Sequence, residues 1–232
     1  YVQVHANEDD GMEFFGGTVN AKHLVLTNIK DDSLDWTHGW NGKVQYLLAK
    51  QDPDPANDKE RGIEADNYEL NNDASPRSQP MIANATFIGA ASDNKTTTGM
   101  VLRRGTGANF TNIIVTGFER CLDIDSDATF AAAGTPTNLT GGLTMENTVI
   151  DCDVNYDEEE GDAFTIQSFF AAQMGNVATN PELNGIYPTA NTPTNMPIDP
   201  EKWGAFFDKV NYAGAFNSQA QAWTNGWTEF LD

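Results

Sequence analysis

Asp10-Gly11-Met12-Glu13-Phe14-Phe15-Gly16-Gly17 and the later Asp31-Asp32-Ser33-Leu34-Asp35-Trp36 carry one pattern, a turn followed by alternating apolar and polar positions, and this pattern decides the fold. It recurs without gaps. The aligned blocks are Gly11-Met12-Glu13-Phe14-Phe15, Ser33-Leu34-Asp35-Trp36-Thr37, Gly62-Ile63-Glu64-Ala65-Asp66, Gly99-Met100-Val101-Leu102-Arg103 and Cys121-Leu122-Asp123-Ile124-Asp125. Their starts lie 22, 29, 37 and 22 residues apart. The equal steps suggest a basic unit, and the longer ones carry loop insertions at 51–60, 67–79 and 90–98. Six positions after the first, second and fourth starts stand Gly17, Gly39 and Gly105, so one turn repeats with the strand.

A second apolar run follows each block by about fourteen positions, at Leu24-Val25-Leu26, Tyr46-Leu47-Leu48 and Ile113-Ile114-Val115. Phe87-Ile88 and Thr148-Val149-Ile150 occupy the same place in the longer units. A unit of two short strands cannot bury its own apolar face, so it must stack on its neighbours. Stacking in register builds parallel sheets whose alternate side chains fill one long core. The expected fold is therefore all-β, a parallel β-helix solenoid over residues 1–166. An antiparallel sandwich also has short strands, but it gives no reason for glycines at one offset.

The chain of 232 residues has 13 basic and 34 acidic residues, a formal charge of −21, and 39% apolar residues. That charge repels polyanionic phosphate, which excludes nucleic acid as a partner. No apolar run reaches the length that crosses a bilayer, so no membrane span is expected.

Residues 167–232 read differently, as an irregular C-terminal segment containing a short helix. Phe164-Thr165-Ile166 reads as the last strand, and Phe169, Phe170, Ala172 and Met174 follow at near-helical spacing. Asp199-Pro200-Glu201 is a helix start, with Trp203, Phe206, Phe207 and Val210 on one face. This segment is expected to cover the side or open end of the solenoid, where free edges invite aggregation. Trp223 and Trp227 read as part of that cover, with an aromatic sugar platform as the sharper alternative.

The outward position of the aligned strands reads Glu13, Asp35, Glu64, Val101, Asp123 down the stack, and the next outward position reads Phe15, Thr37, Asp66, Arg103, Asp125. Coils lie ~4.8 Å apart, where two carboxylates repel by roughly 0.9 kcal/mol even at the permittivity of water. Solvent, nearby guanidinium groups or bound Ca²⁺ would offset that cost. Glu13, Asp35, Glu64 and Asp123 are the candidate binding residues. Asp66, Asp123 and Asp125 are the candidate calcium ligands, and Arg103 and Arg104 are placed beside Asp66 and Asp125. The acids at Glu8-Asp9-Asp10 and Asp157–Glu160 read as solvated loops. His5, His23 and His38 lack metal spacing, and no nucleophile elbow or phosphate loop occurs. Cys121 and Cys152 fall on neighbouring coils, which leaves both a disulfide and a free buried pair open.

The repeat, carried by phrases such as Asp10–Gly17 and Asp31–Trp36, resembles the right-handed parallel β-helix proteins of pectate-lyase-like architecture. In particular it is similar to exported bacterial β-helix proteins, often lipoproteins of unassigned role. The resemblance implies a secreted, periplasmic or outer-surface location, and it implies that N-terminal coils are missing before Tyr1, which enters in mid-repeat. It supports two functional expectations. The first is a non-enzymatic solenoid with a binding or structural role, its acidic face binding cations, a polysaccharide or a surface protein, or its stack serving in filaments or adhesion. The second is a calcium-dependent polysaccharide lyase or glycoside hydrolase, with Asp35, Asp66, Asp123, Asp125 and Arg103 as catalytic candidates. The charge of −21 discourages a polyuronate substrate unless a metal intervenes.

Overall fold

The computed structural model describes residues 1–54, 57, 59–90, 97–193 and 203–231. Six coils follow one another, each with two strands. They are β1 (Val2–His5) and β2 (Met12–Phe15), β3 (Ala21–Thr27) and β4 (Leu34–Thr37), β5 (Lys43–Lys50) and β6 (Arg61–Asp66), β7 (Met81–Ile88) and β8 (Thr98–Arg103), β9 (Ala108–Thr116) and β10 (Arg120–Ile124). Helix α1 (Asp127–Ala133) and the hairpin β11 (Gly134–Thr135) and β12 (Asn138–Leu139) interrupt the series before β13 (Leu143–Asp151) and β14 (Val154–Asp157) complete the sixth coil. Helix α2 (Ile166–Ala171), β15 (Val177–Ala178) and the hairpin β16 (Leu183–Asn184) and β17 (Tyr187–Pro188) follow.

A first parallel sheet runs in the order β1-β3-β5-β7-β9-β13-β15 and a second in the order β14-β10-β8-β6-β4-β2. The register is the one the repeat implies. Met12 pairs with Leu34, Leu34 with Ile63, Ile63 with Met100 and Met100 with Leu122, which pairs with Tyr156. In the first sheet Leu24, Leu47, Ala85 and Ile113 form a matching column. Both columns belong to one continuous core. A single hydrophobic interior therefore runs the length of the stack, and the chain is a parallel β-helix.

The fixed turn also appears. Gly17, Gly39 and Gly105 have φ of +77°, +79° and +82°, a region that side chains with a Cβ avoid. A Cβ on Gly39 would lie 2.3 Å from the Pro76 carbonyl oxygen, so two of the glycine's properties are needed there at once.

The C-terminal region closes the solenoid in two ways. The strand expected at Phe164-Thr165-Ile166 is instead the start of α2. Thr165 accepts a hydrogen bond from Ser168 N at 3.3 Å, and the Glu158 carboxylate accepts from Ile166 N and Gln167 N at 2.8 and 2.9 Å. These caps satisfy amides that a helix leaves free, and Ile166, Phe169 and Phe170 then enter the end of the core. Met174, by contrast, is exposed.

The second closure is a strap over the outer side of the first sheet. Gln45 exchanges two hydrogen bonds with the Asp208 backbone, at 3.0 and 2.8 Å; Asn84 donates to Tyr212 O at 3.1 Å, and Ala215 N donates to Thr86 Oγ1 at 2.8 Å. Between these polar attachments Val25 and Leu48 pack against Ala215, Phe216 and Ala222, and Ala83 packs against Trp203 and Phe207. Asp199, Pro200 and Glu201 of the expected helix start lie outside the described residues, as do 91–96 and residues 55, 56 and 58 of the loop insertions. From Gly204, with φ of +90°, the strap runs in turns rather than continuing as a helix. Cys121 and Cys152 are joined by a disulfide that ties the fifth and sixth coils.

Candidate functional site

With the first sheet covered, the outer face of the second sheet is the long open surface. Register stacks Glu13, Asp35, Glu64, Val101 and Asp123, as expected, and adds Asp157 at the end. Asp157 was expected in a solvated loop. It instead ends β14 and receives Arg120 Nε at 3.2 Å, and its neighbour Glu158 caps α2.

The row is partly neutralised by arginines. Arg61 Nη1 reaches Glu64 at 2.7 Å, Asp32 at 3.4 Å and Glu60 at 3.0 Å. Arg103 pairs with Glu64 and, through Nε, with Asp66 at 2.9 Å; Arg104 holds the other Asp66 oxygen at 2.6 Å. Arg61 and Arg120 were not singled out in the sequence. Their signal is a shared register, since both pair with Thr98.

The three expected calcium ligands are not brought together. Asp66 and Asp125 stand on β6 and beyond β10 with Arg103 of β8 between them, a separation of about 10 Å across two strand spacings. Both oxygens of Asp66 are already occupied by guanidinium groups. The set fits two separate environments and does not form one cation cage.

Two concavities lie along the face. The first, about 450 Å³, has Glu13, Asp35 and Glu64 in its floor and Phe15, His38 and Tyr68 along its wall. The rings form a row, Phe15 to His38 at 5.5 Å and His38 to Tyr68 at 4.8 Å between centroids. Phe15 is 66% exposed and Leu70 77% exposed. Phe15 was legible as an outward position; Tyr68 occupies the offset held by glycine in other coils. Asp35 has no ion pair among the described residues. Burial, followed by the charges of Glu64, Asp10, Asp32 and Glu13, pushes its pKa up to about 9, while Glu13, which hydrogen-bonds it, is raised chiefly by burial. Asp10, whose carboxylate lies within 4.8 Å of those of Glu13 and Asp35, is raised to about 6 for the same leading reason.

The second concavity, about 240 Å³, is lined by Glu60, Arg61, Thr98, Val101, Arg103, Arg120, Asp123, Asp125 and Asp157. Asp123 stands at its centre between Val101 and Asp157. Its Oδ1 is buried with no hydrogen-bond partner among the described residues, a state that costs on the order of 1–3 kcal/mol. Burial, with the Asp157 and Asp125 charges, raises its pKa to about 7.

Trp223 and Trp227 do not form an open platform. Trp223 donates to Ala215 O at 2.7 Å and stacks on Phe216 at 5.2 Å, and Trp227 donates to Trp223 O at 2.6 Å, so both belong to the strap. His23 is stacked on Tyr1 at 4.1 Å beside them, and His5 is stacked on Phe230 at 4.5 Å.

A stacked two-sheet solenoid with an open, acid-lined face defines a class, the parallel β-helix proteins. Comparison with protein families matches residues 1–228 to the pectate-lyase like beta helix domain, and the chain belongs to that family. No curated protein matched, and no solved structure matched. Among the described residues no helix is long and apolar enough to cross a membrane.

Proposed function

We propose that this is a secreted or cell-surface β-helix protein that binds a neutral polysaccharide along the outer face of its second sheet, without turning it over. The reading rests on one observation, the exposed ring row Phe15–His38–Tyr68 running beside the carboxyl row Glu13–Asp35–Glu64. Sugar rings present apolar C–H faces to aromatic side chains and hydroxyl groups to carboxylates, so a wall of one kind beside a floor of the other suits them. A polyuronate suits the face less well, because Arg61, Arg103, Arg104 and Arg120 are each already paired with acids of this chain. The disulfide supports a location outside the reducing cytosol.

A second reading, glycoside hydrolysis, is favoured by the proton that burial keeps on Asp35 beside a second carboxyl group, Glu13, since such chemistry uses a protonated acid in a carboxyl pair. Titration calorimetry against a panel of neutral and acidic polysaccharides tests both. Binding of a neutral glycan that is lost in Phe15→Ala supports the first. Release of reducing ends that is abolished by Asp35→Asn replaces it with the second. Neither binding nor turnover across the panel removes both.

A further inference from the structure

Arg61 and Arg120 hold the same place in the repeat, and so do Glu64 and Asp123, since both arginines pair with Thr98 of β8 and both acids with Val101. In the third coil the two partners meet, with Arg61 Nη1 at 2.7 Å from Glu64. In the fifth coil they do not. Arg120 turns instead to the sixth coil, giving Nε to Asp157 at 3.2 Å, while its Nη2 lies 3.8 Å from Glu119. Asp123 is left with Oδ1 buried and without a hydrogen-bond partner among the described residues, beside the cavity that Arg120 also lines. One arginine therefore stands beside two stacked acids, Asp123 and Asp157, and serves only one of them.

Charged groups face Asp123 from every neighbouring strand. Its own strand brings Arg120 and, just beyond, Asp125; β14 brings Asp157, and the segment after it Glu159; β8 brings Arg103 beside the apolar Val101, and β6 brings Arg61 with Glu60 before it. Arg103 is committed to Glu64 and Asp66, and Arg61 to Glu64, Glu60 and Asp32. Arg120 is the cation left to respond. While Asp123 holds a proton it makes no claim on that guanidinium. Once ionised it is a largely buried anion beside Asp125 and Asp157, and because charges interact more strongly where water is excluded, the guanidinium is drawn toward it. Burial, followed by the Asp157 and Asp125 charges, sets this change at about 7.

What Arg120 would release lies at the closed end of the solenoid. β14 is an edge strand of the second sheet, paired with β10. Asp157 is its last residue, Glu158 follows and caps α2 through Ile166 N and Gln167 N, and the ring of Tyr156 meets Phe170 of α2 at 5.7 Å between centroids. We propose that Arg120 is a two-position latch set by the protonation of Asp123: on Asp157 it holds β14 and the α2 cap closed, and on Asp123 it lets that end of the solenoid loosen. The latch uses neither the ring row nor Asp35, so it stands or falls apart from the glycan-binding reading.

The test is a pH titration of the intact protein by nuclear magnetic resonance, following the Asp123 carboxyl carbon and Arg120 Nε, with amide exchange of Ile166 and Gln167 read in parallel. The two signals are expected to move together with a midpoint of about 7. Exchange protection at both amides should fall by about tenfold or more between about pH 6 and about pH 8, after correction for base catalysis. Asp123→Asn is expected to keep Arg120 on Asp157 and to abolish both changes. Asp157→Asn leaves Arg120 to Asp123, and is expected to weaken proton binding at Asp123 by about tenfold or more and to carry the Arg120 transition with it. This variant and the wild-type titration decide the matter even where Asp123→Asn fails to fold. An Asp123 midpoint in the ordinary carboxylate range, an Arg120 signal that does not follow it, or an unmoved midpoint in Asp157→Asn would overturn the latch. Equal pH dependence of the exchange in wild type and Asp123→Asn would overturn it as well.

Discussion

Arg103 lies directly opposite Asp66 on the adjacent strand and donates to its carboxylate at 2.9 Å, from a position where Asp66 is buried and Arg103 keeps about a fifth of its side chain exposed. The contact converts a row of mutually repelling acids into a braced one. Removing one partner of a mostly buried pair leaves an uncompensated charge, which costs up to about 3–5 kcal/mol in full burial and less with partial exposure. Arg103→Ala is therefore expected to lower unfolding stability by about 2–3 kcal/mol. Arg104 still holds Asp66, so the variant should stay folded; denaturant titration is the measurement, and a change below about 0.5 kcal/mol would mean the brace is only superficial.

The acids that have no ion pair among the described residues predict an unusual pH dependence. Asp10, Asp35 and Asp123 have folded-state pKa values raised to about 6, 9 and 7, against an unperturbed 3.8. A group raised in the folded state binds its proton more tightly there than in the unfolded chain. Its contribution is therefore fully present below about pH 4 and is lost as pH rises through the folded value. Across the window from about 4 to 9 the denaturation midpoint should fall, and Asp35→Asn should flatten its alkaline part. A midpoint that rises from pH 5 to pH 8 would contradict the burial assigned to these groups.

The Cys121–Cys152 bridge closes a loop of 31 residues between consecutive coils. By chain-entropy scaling such a loop stabilises by about 3–4 kcal/mol. Reduction, or Cys121→Ser with Cys152→Ser, should cost that amount and loosen the sixth coil first, because β13, β14 and α2 lie on its far side. Hydrogen exchange that rises in β14 and α2 before β3–β7 is the expected signature.

Phe216 is 1% exposed and joins the strap to Val25 and Leu48 on the first sheet. Phe216→Ala should destabilise by about 3–5 kcal/mol through lost burial and the cavity left behind. It should also increase binding of a hydrophobic dye, since the sheet face beneath the strap is apolar. An unaltered melting temperature would show that the polar attachments at Gln45, Asn84 and Thr86 hold the strap without it.

The outward acids at Glu13, Asp35, Glu64 and Asp123 were legible because a strand has a side-chain period of two and a β-helix repeats it at fixed register. The ion pairs were less so. Arg61 meets Glu64 three residues along its own strand and Asp32 on the preceding coil, and nothing in the local pattern marks how far its side chain reaches. Asp66, Asp123 and Asp125 share the outward face as the register implies, and Arg103 and Arg104, placed beside Asp66 by the same register, occupy both of its carboxylate oxygens.

Asp157 and Glu158 show the limit at the other end. A run of four acids reads as solvated loop, yet one residue extends a strand and the next caps a helix, because the neighbouring fifth coil offers Asp157 an Arg120 partner and α2 offers Glu158 two free amides. Likewise, the aromatic C-terminal residues were plainly destined for burial, but the polar anchors that chose the first sheet as their surface lie some 130 to 160 residues upstream.

Periodicity by itself determined the solenoid, its register and which side chains point outward, because those follow from local backbone geometry repeated coil after coil. Only the tertiary structure decided which face stays open, which acids are neutralised and where a carboxylate is left without a partner. Those outcomes depend on side chains from distant segments meeting in space, and on how much water each meeting displaces.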